Sequence, residues 1–202
     1  MSIANALQLK ISDKPNGAVF CANDFADLGS RGNIDVILHR LSQKGDIRRL
    51  GYGLYDKPNK SQLLGDLSPD IKDILDAYSR RMGQSFVLDP LNAANLVGFS
   101  TQVPARLMYL TDGNTHDISI CGITLHFIHA DPKKMAGAGT PVGIIIQALR
   151  YFGSNQISDT FLTTIINRLS KADMILLNGL KTRTTRNLVP IINRMMKIAN
   201  IY

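Results

Sequence analysis

The sequence predicts an α+β fold, and three observations predict it. Residues 30–44, SRGNIDVILHRLSQK, carry apolar residues at helical spacing and run directly into a short basic ribbon. Residues 106–129 hold brief runs of apolar and β-branched residues broken at Asp112-Gly113 and Gly122. From Val142 onward the apolar spacing becomes helical again and stays so to the end of the chain.

Taken in order, residues 2–12 predict a first helix. Ile3, Leu7 and Ile11 recur every four residues, and Ser2 suits the N-cap. Asp13-Lys14-Pro15-Asn16-Gly17 is a turn cluster, and Ala18–Phe20 fits a small strand. Asn23–Leu28 reads as a short helix capped by Asn23 or Asp24. Gly29 then lets the chain turn sharply into a second helix, Ser30–Lys44. There Ile34, Ile37, Leu38 and Leu41 form one inward stripe, and Gly45 is the stop. Asp46–Leu50 and Leu54–Lys57 make a two-stranded ribbon turned at Gly51-Tyr52-Gly53.

These are the parts of a winged helix-turn-helix over residues 1–60, a module suited to groove readout by a helix and backbone clamping by a ribbon. The residues expected to touch DNA are Ser30, Arg31, Asn33, Arg40 and Lys44 on the second helix, with Arg48, Arg49 and Tyr52 on the wing.

Residues 61–202 are expected to form a second, α+β domain with a small antiparallel sheet, several helices and a basic helical tail. Residues 59–68 read as a linker. Ser68-Pro69-Asp70 opens a helix running to about Met82, closed by Arg80, Arg81 and Gly83. Phe86–Leu88 is extended, and Asp89-Pro90 starts a helix over Leu91–Val97 ended by Gly98. Arg106–Thr111, Asp117–Cys121 and Ile123–His129 predict an antiparallel meander. The Gly-rich Asp131–Thr140 reads as a flexible connector. Val142–Phe152 predicts a helix stopped by Gly153, followed by helices over Ser158–Leu169, Asp173–Leu180 and Asn187–Asn200.

Composition sets the class. The chain has 202 residues, 45% hydrophobic and 19% charged, which suits packed domains rather than disorder. No apolar run reaches the ~18–20 residues of a membrane span, and no secretory leader is visible, so a cytoplasmic protein with no membrane partner is expected. Cys21 and Cys121 stand far apart and are expected to be reduced. The net charge of +7 favours an anionic partner. Residues 1–60 are net +3, residues 61–130 net −3 and residues 131–202 net +7, and all sixteen acids are Asp.

Three runs carry a family resemblance. DFADLGSRGNIDVILHRLSQKGDIRRLGYGLYDKP resembles the N-terminal domain of the AbiEi-like antitoxins of bacterial type IV toxin–antitoxin and abortive-infection systems. NAANLVGFSTQVPARLMYLTDG, Asn92–Gly113, is similar to the same family, as is the shorter QALRYFG, Gln147–Gly153. The resemblance spans about Gly17 to Gly153 and implies an N-terminal winged helix that represses its own operon. It also implies a C-terminal domain that counters a nucleotidyltransferase-like toxin. The expected partners are therefore operator DNA and that toxin, with no cofactor. Two other readings stay open: a stand-alone regulator whose C-terminal domain senses a ligand or protein, and an adaptor that does not touch DNA.

No catalytic or metal constellation is expected. His116, His126 and His129 lie on or beside strands without converging partners at ligand spacing. Ile118–His129 lacks the acid and lysine that a metal-dependent nuclease needs. No Asp-x-Asp follows Gly98-Phe99-Ser100, and MAGAGTP lacks the Gly-Lys-Ser/Thr ending of a phosphate loop. A candidate partner or second nucleic-acid surface comprises Arg106 and, in the tail, Lys181, Arg183, Arg186, Arg194 and Lys197.

Overall fold

Capping serines and aspartates, together with left-handed glycines, delimit the helices of the computed structural model, which describes residues 2–102, 104–152 and 157–200. The chain is α+β and divides into two compact units: residues 1–84 with 120–123, and residues 85–119 with 124–202.

In the first unit, Ser2 caps α1 (Ile3–Ser12), its Oγ accepting from the Asn5 N–H at 3.3 Å. β1 (Val19–Cys21) leads into a 3₁₀ turn, Ala22–Phe25. The helix expected over Asn23–Leu28 is thus a single tight turn, because the Asp24 carboxylate folds back to accept the Cys21 N–H at 3.0 Å. The cap is Cys21 and not Asn23 or Asp24. α2 (Arg31–Lys44) starts and stops where its sequence predicts, with Gly45 left-handed at φ 81°. β2 (Arg48–Gly51) and β3 (Leu54–Asp56) follow, and the sheet order β1-β3-β2 is antiparallel throughout. Leu7, Ile11, Phe20, Phe25, Ile34, Leu38, Leu41, Ile47 and Tyr55 form one core, so the stripe on α2 faces α1 and the sheet.

The segment read as a linker is ordered as a hairpin, β4 (Asn59–Ser61) with β5 (Gly65–Leu67). Its side chains are exposed or half-buried, so it carries no apolar alternation to announce it. α3 (Ile71–Met82) is capped by Asp70 and belongs to this first unit, which moves the division from residue 60 to residue 84. Two contacts hold it there. Asp24 accepts from Arg80 Nε at 2.6 Å, and Asn23 Nδ2 donates to the Arg80 carbonyl at 2.8 Å. Asp24 therefore serves a turn and an ion pair together. Arg80 keeps 46% of its side chain exposed, so the pair itself adds little and the cap carries most of the effect. Asp24→Ala is expected to cost about 1–2 kcal/mol in urea denaturation, whereas Asp27→Ala, which loses only an exposed pair with Lys10, is expected to leave the transition nearly unchanged.

In the second unit, β6 (Phe86–Leu88) and α4 (Pro90–Leu96) precede β7 (Leu107–Thr111), β8 (His116–Ile120) and β9 (Ile123–His129). The strands do not form a meander. Their order is β6-β7-β9-β8, with β7 and β9 parallel and Tyr109 beside Phe127. Burial explains the order. The last three residues of β7 are all buried, which suits an interior strand, whereas β8 alternates buried and exposed residues, which suits an edge. Phe127 packs on Phe86 and Tyr109, with ring centroids at 4.6 and 5.8 Å.

Four helices complete the unit: α5 (Pro141–Phe152), α6 (Asp159–Ile166), α7 (Lys171–Leu180) and α8 (Val189–Ile198). α5 is the axis. Val142, Ile145, Ile146 and Leu149 share a core with Leu162, Ile165, Met174, Leu177, Ile192 and Met195. On its other side Ala148 meets Ala93 and Ala94, small residues that let α4 come close. Gly153, read as the stop of α5, lies outside the described residues.

The Gly-rich stretch is no flexible connector. Met135 and Ala136 are buried, and Thr140 Oγ1 donates to the Gly137 carbonyl at 2.7 Å. Gly137 has φ +76°, and its backbone lies against the backbone of Gly143. A Cβ on Gly143 would sit 2.7 Å from the Gly137 carbonyl carbon and closer still to its oxygen.

Candidate nucleic-acid interface

The buried stripe of α2 dictates what its other face presents. With Ile34, Leu38 and Leu41 inward, Arg31, Asn33, Arg40, Gln43 and Lys44 are all exposed. Arg31 is partly offset by Asp35, one turn on at 3.7 Å. Arg40 and Lys44 have no carboxylate partner among the described residues. Ser30 sits at the N-cap position, and its side chain makes no capping hydrogen bond. Gly32 has open space where a side chain would stand, and Val36 is 49% exposed in the middle of this polar face. Sequence reading passed over Val36. Its signal was an apolar residue off the inward stripe.

The β2–β3 ribbon carries one exposed arginine and one half-buried arginine. Arg49 is exposed on β2. Arg48 is half-buried and already paired: its Nε and Nη2 grip the Asp56 carboxylate at 3.1 and 2.5 Å, and Nη2 also donates to the Leu67 carbonyl at 2.7 Å. The Asp56 side chain is only 1% exposed, and the pairing pushes the Arg48 guanidinium pKa up from its ordinary value. This arginine ties β2 to β3 and β5, so a residue expected to touch DNA is already engaged within the fold. The register explains it, since Arg48 stands directly opposite Asp56.

The tip takes an uncommon conformation. Gly51, Tyr52 and Gly53 all have positive φ, at 110°, 51° and 67°. Tyr52 carries a side chain in the left-handed region that glycine favours, and it is 46% exposed. The Arg81 guanidinium lies against Gly53, so a second cation stands beside the tip. In sequence Arg81 reads only as a charge suited to a helix C-terminus.

In the second unit, Arg106, Arg183, Arg186 and Lys197 are exposed and Lys181 is half-buried. Arg194 is half-buried and already engaged within the fold. It is ion-paired with Asp159 and donates to the Ile157 carbonyl at 3.1 Å, which fastens α8 to the start of α6. Arg150 is half-buried, bonded to the Lys134 carbonyl and Gln147 Oε1, and burial pushes its pKa down.

His116, His126 and His129 are each used locally. His116 donates from Nδ1 to the Asn114 carbonyl and stacks on Phe127, with centroids 4.8 Å apart. His129 Nδ1 donates to the Gly113 carbonyl, and His126 Nδ1 donates to Asp117 at 2.9 Å. Among the described residues no group of three His, Cys, Asp or Glu side chains is placed to hold a metal ion. Among the described residues no helix is long and apolar enough to cross a membrane.

A protein-family model described as a family of unknown function, DUF6088, matches residues 6–177. No curated protein matches the chain.

Proposed function

The chain belongs to DUF6088, a family of unknown function, and we propose that it is a non-enzymatic DNA-binding protein that represses its own operon. The observation that carries this reading is the outward face of α2 with its wing. Arg40 and Lys44 on the helix and Arg49 on the hairpin are exposed and have no acid partner among the described residues, while Asp35, Asp56 and Asp24 are paired with Arg31, Arg48 and Arg80. In this reading Gly32 lets a groove edge approach the helix backbone, Val36 meets a thymine methyl, and Asn33 and Arg40 address base edges. Lys44, Arg49 and Arg81 hold phosphates, with Ser30 donating to one at the helix start. The antitoxin role, with unit two countering a nucleotidyltransferase-like toxin in the cytoplasm, rests on the family resemblance of the three runs between Gly17 and Gly153 alone.

The test is a gel shift on the protein's own upstream region against random duplex of equal length, at several salt concentrations. With ~4–6 phosphates neutralised, log affinity should fall against log salt with a slope near −4 to −5. Replacing Arg40, Lys44 and Arg49 together by Ala should weaken binding about 10- to 100-fold across sequences and flatten that slope by about 3. Binding no better than to random duplex, with no change in the triple variant, would make this unit a protein-interaction module.

A further inference from the structure

The second unit holds a recess to which the DNA reading gives no role. It measures about 490 Å³ and brings Lys133, from the loop before α5, together with Arg183, from the turn after α7. Its remaining walls include Met135, Ala136, Gly137 and Leu180. We propose that this recess binds the phosphate groups of a small phosphorylated molecule.

Four features converge on that ligand. The two charged residues lining the recess are both cations, and no carboxylate lines it; Asp131, the acid of the same loop, is not part of the wall. Lys133 and Arg183 are exposed, and neither forms an ion pair among the described residues. A lysine ammonium supplies a compact charge, and an arginine fork can take two phosphate oxygens at once. Ala136 and Gly137, buried and half-buried, also line the recess, and no hydrogen bond among the described residues engages their main-chain N–H groups. Main-chain donors within a fold are normally paired, and an anion in the recess would give these two a partner.

The recess is also held in shape. The Gly137–Gly143 approach fixes the loop from below. Gln147, fully buried, donates from Nε2 to the Lys134 carbonyl at 2.5 Å, and Arg150 reaches the same oxygen. Met135 and Leu180 supply an apolar wall for the part of the ligand that is not phosphate, and the volume lies in the range of small-molecule sites. A concave, walled notch with one apolar side suits a small molecule better than the continuous backbone of a nucleic acid.

The experiment is calorimetric titration of the full chain with inorganic pyrophosphate and, separately, with ATP. Saturable one-to-one uptake is expected. Replacing Lys133 and Arg183 together by Ala should weaken it at least tenfold, with circular dichroism unchanged, because both side chains are exposed. Arg183→Lys should lose less. Lys171→Ala, an exposed lysine that does not line the recess, should bind as the parent does. Absence of saturable binding to both probes would overturn the proposal, as would equal affinity in the Lys133 and Arg183 double variant. Binding confined to an oligonucleotide, with pyrophosphate and ATP inert, would also overturn it and assign these cations to a polyanion surface. None of these outcomes depends on whether α2 binds DNA.

Discussion

Arg48→Ala is expected to destabilise the N-terminal unit by about 3 kcal/mol rather than to act as a DNA-contact variant. The substitution strands the Asp56 carboxylate, which is 1% exposed and has Arg48 as its ion-pair partner. Breaking a buried pair from one side costs about 3–5 kcal/mol, because the remaining charge keeps its desolvation penalty. The lower end applies, since the Arg48 side chain is 28% exposed and water screens part of the pair. The Leu67 carbonyl also loses its donor, which loosens β5 from the sheet. For a unit of this size the shift in melting temperature should exceed about 10 °C by scanning calorimetry. Two controls separate this account from a groove contact. Arg49→Ala, one residue on and exposed, should leave melting unchanged while weakening DNA binding. Arg48→Ala combined with Asp56→Ala should recover part of the loss, because no charge is left unpaired. An Arg48→Ala protein that melts like the parent would refute the buried-pair account.

The second large effect is at Gly143. Alanine is the better helix former by about 1 kcal/mol, so a reading by propensity alone would have Gly143→Ala stabilise α5. The expected result is the opposite, a loss of about 3 kcal/mol in urea denaturation. The new Cβ would meet the carbonyl carbon of Gly137 at 2.7 Å, the Ala138 nitrogen at 3.1 Å and, closer still, the Gly137 oxygen. These are backbone atoms and cannot swing aside as a side-chain end would, so the upper range of overpacking costs applies. Gly179→Ala, in helix α7 with open space at its Cβ position, should instead be neutral or stabilising by up to about 1 kcal/mol. Should Gly143→Ala match Gly179→Ala, the close backbone crossing is not a feature of the folded protein.

Elements whose signal is local were legible in sequence. α2 follows from its stripe and from Gly45, and its bounds agree to within a residue. α3, α5 and α8 follow in the same way from apolar spacing. What sequence reading missed depends on partners remote in the chain. Arg48 and Arg49 are adjacent and chemically alike, and only the register with Asp56 sends one inward and leaves the other outside. The parallel pairing of β7 with β9 defeats the expectation that successive strands pair in order. The β4–β5 hairpin lacks an apolar face, so nothing in its composition separates it from a linker. Of the candidate DNA contacts, those on the helix were readable because a buried stripe defines its own opposite. Val36 and Arg81 needed coordinates.

The strand order also bears on synthesis and on where the chain can be cut. β7 is interior, but the strand on its second side is β9, which lies beyond β8 in the chain. Until residues 123–129 leave the ribosome, the apolar run Leu107-Met108-Tyr109-Leu110 presents an open edge, a template for pairing with other nascent chains. The β8–β9 hairpin closes locally and quickly once made, so the exposure is brief in the whole protein. A fragment ending within β8 would keep that edge permanently and should aggregate, so a soluble piece of this unit has to extend past His129.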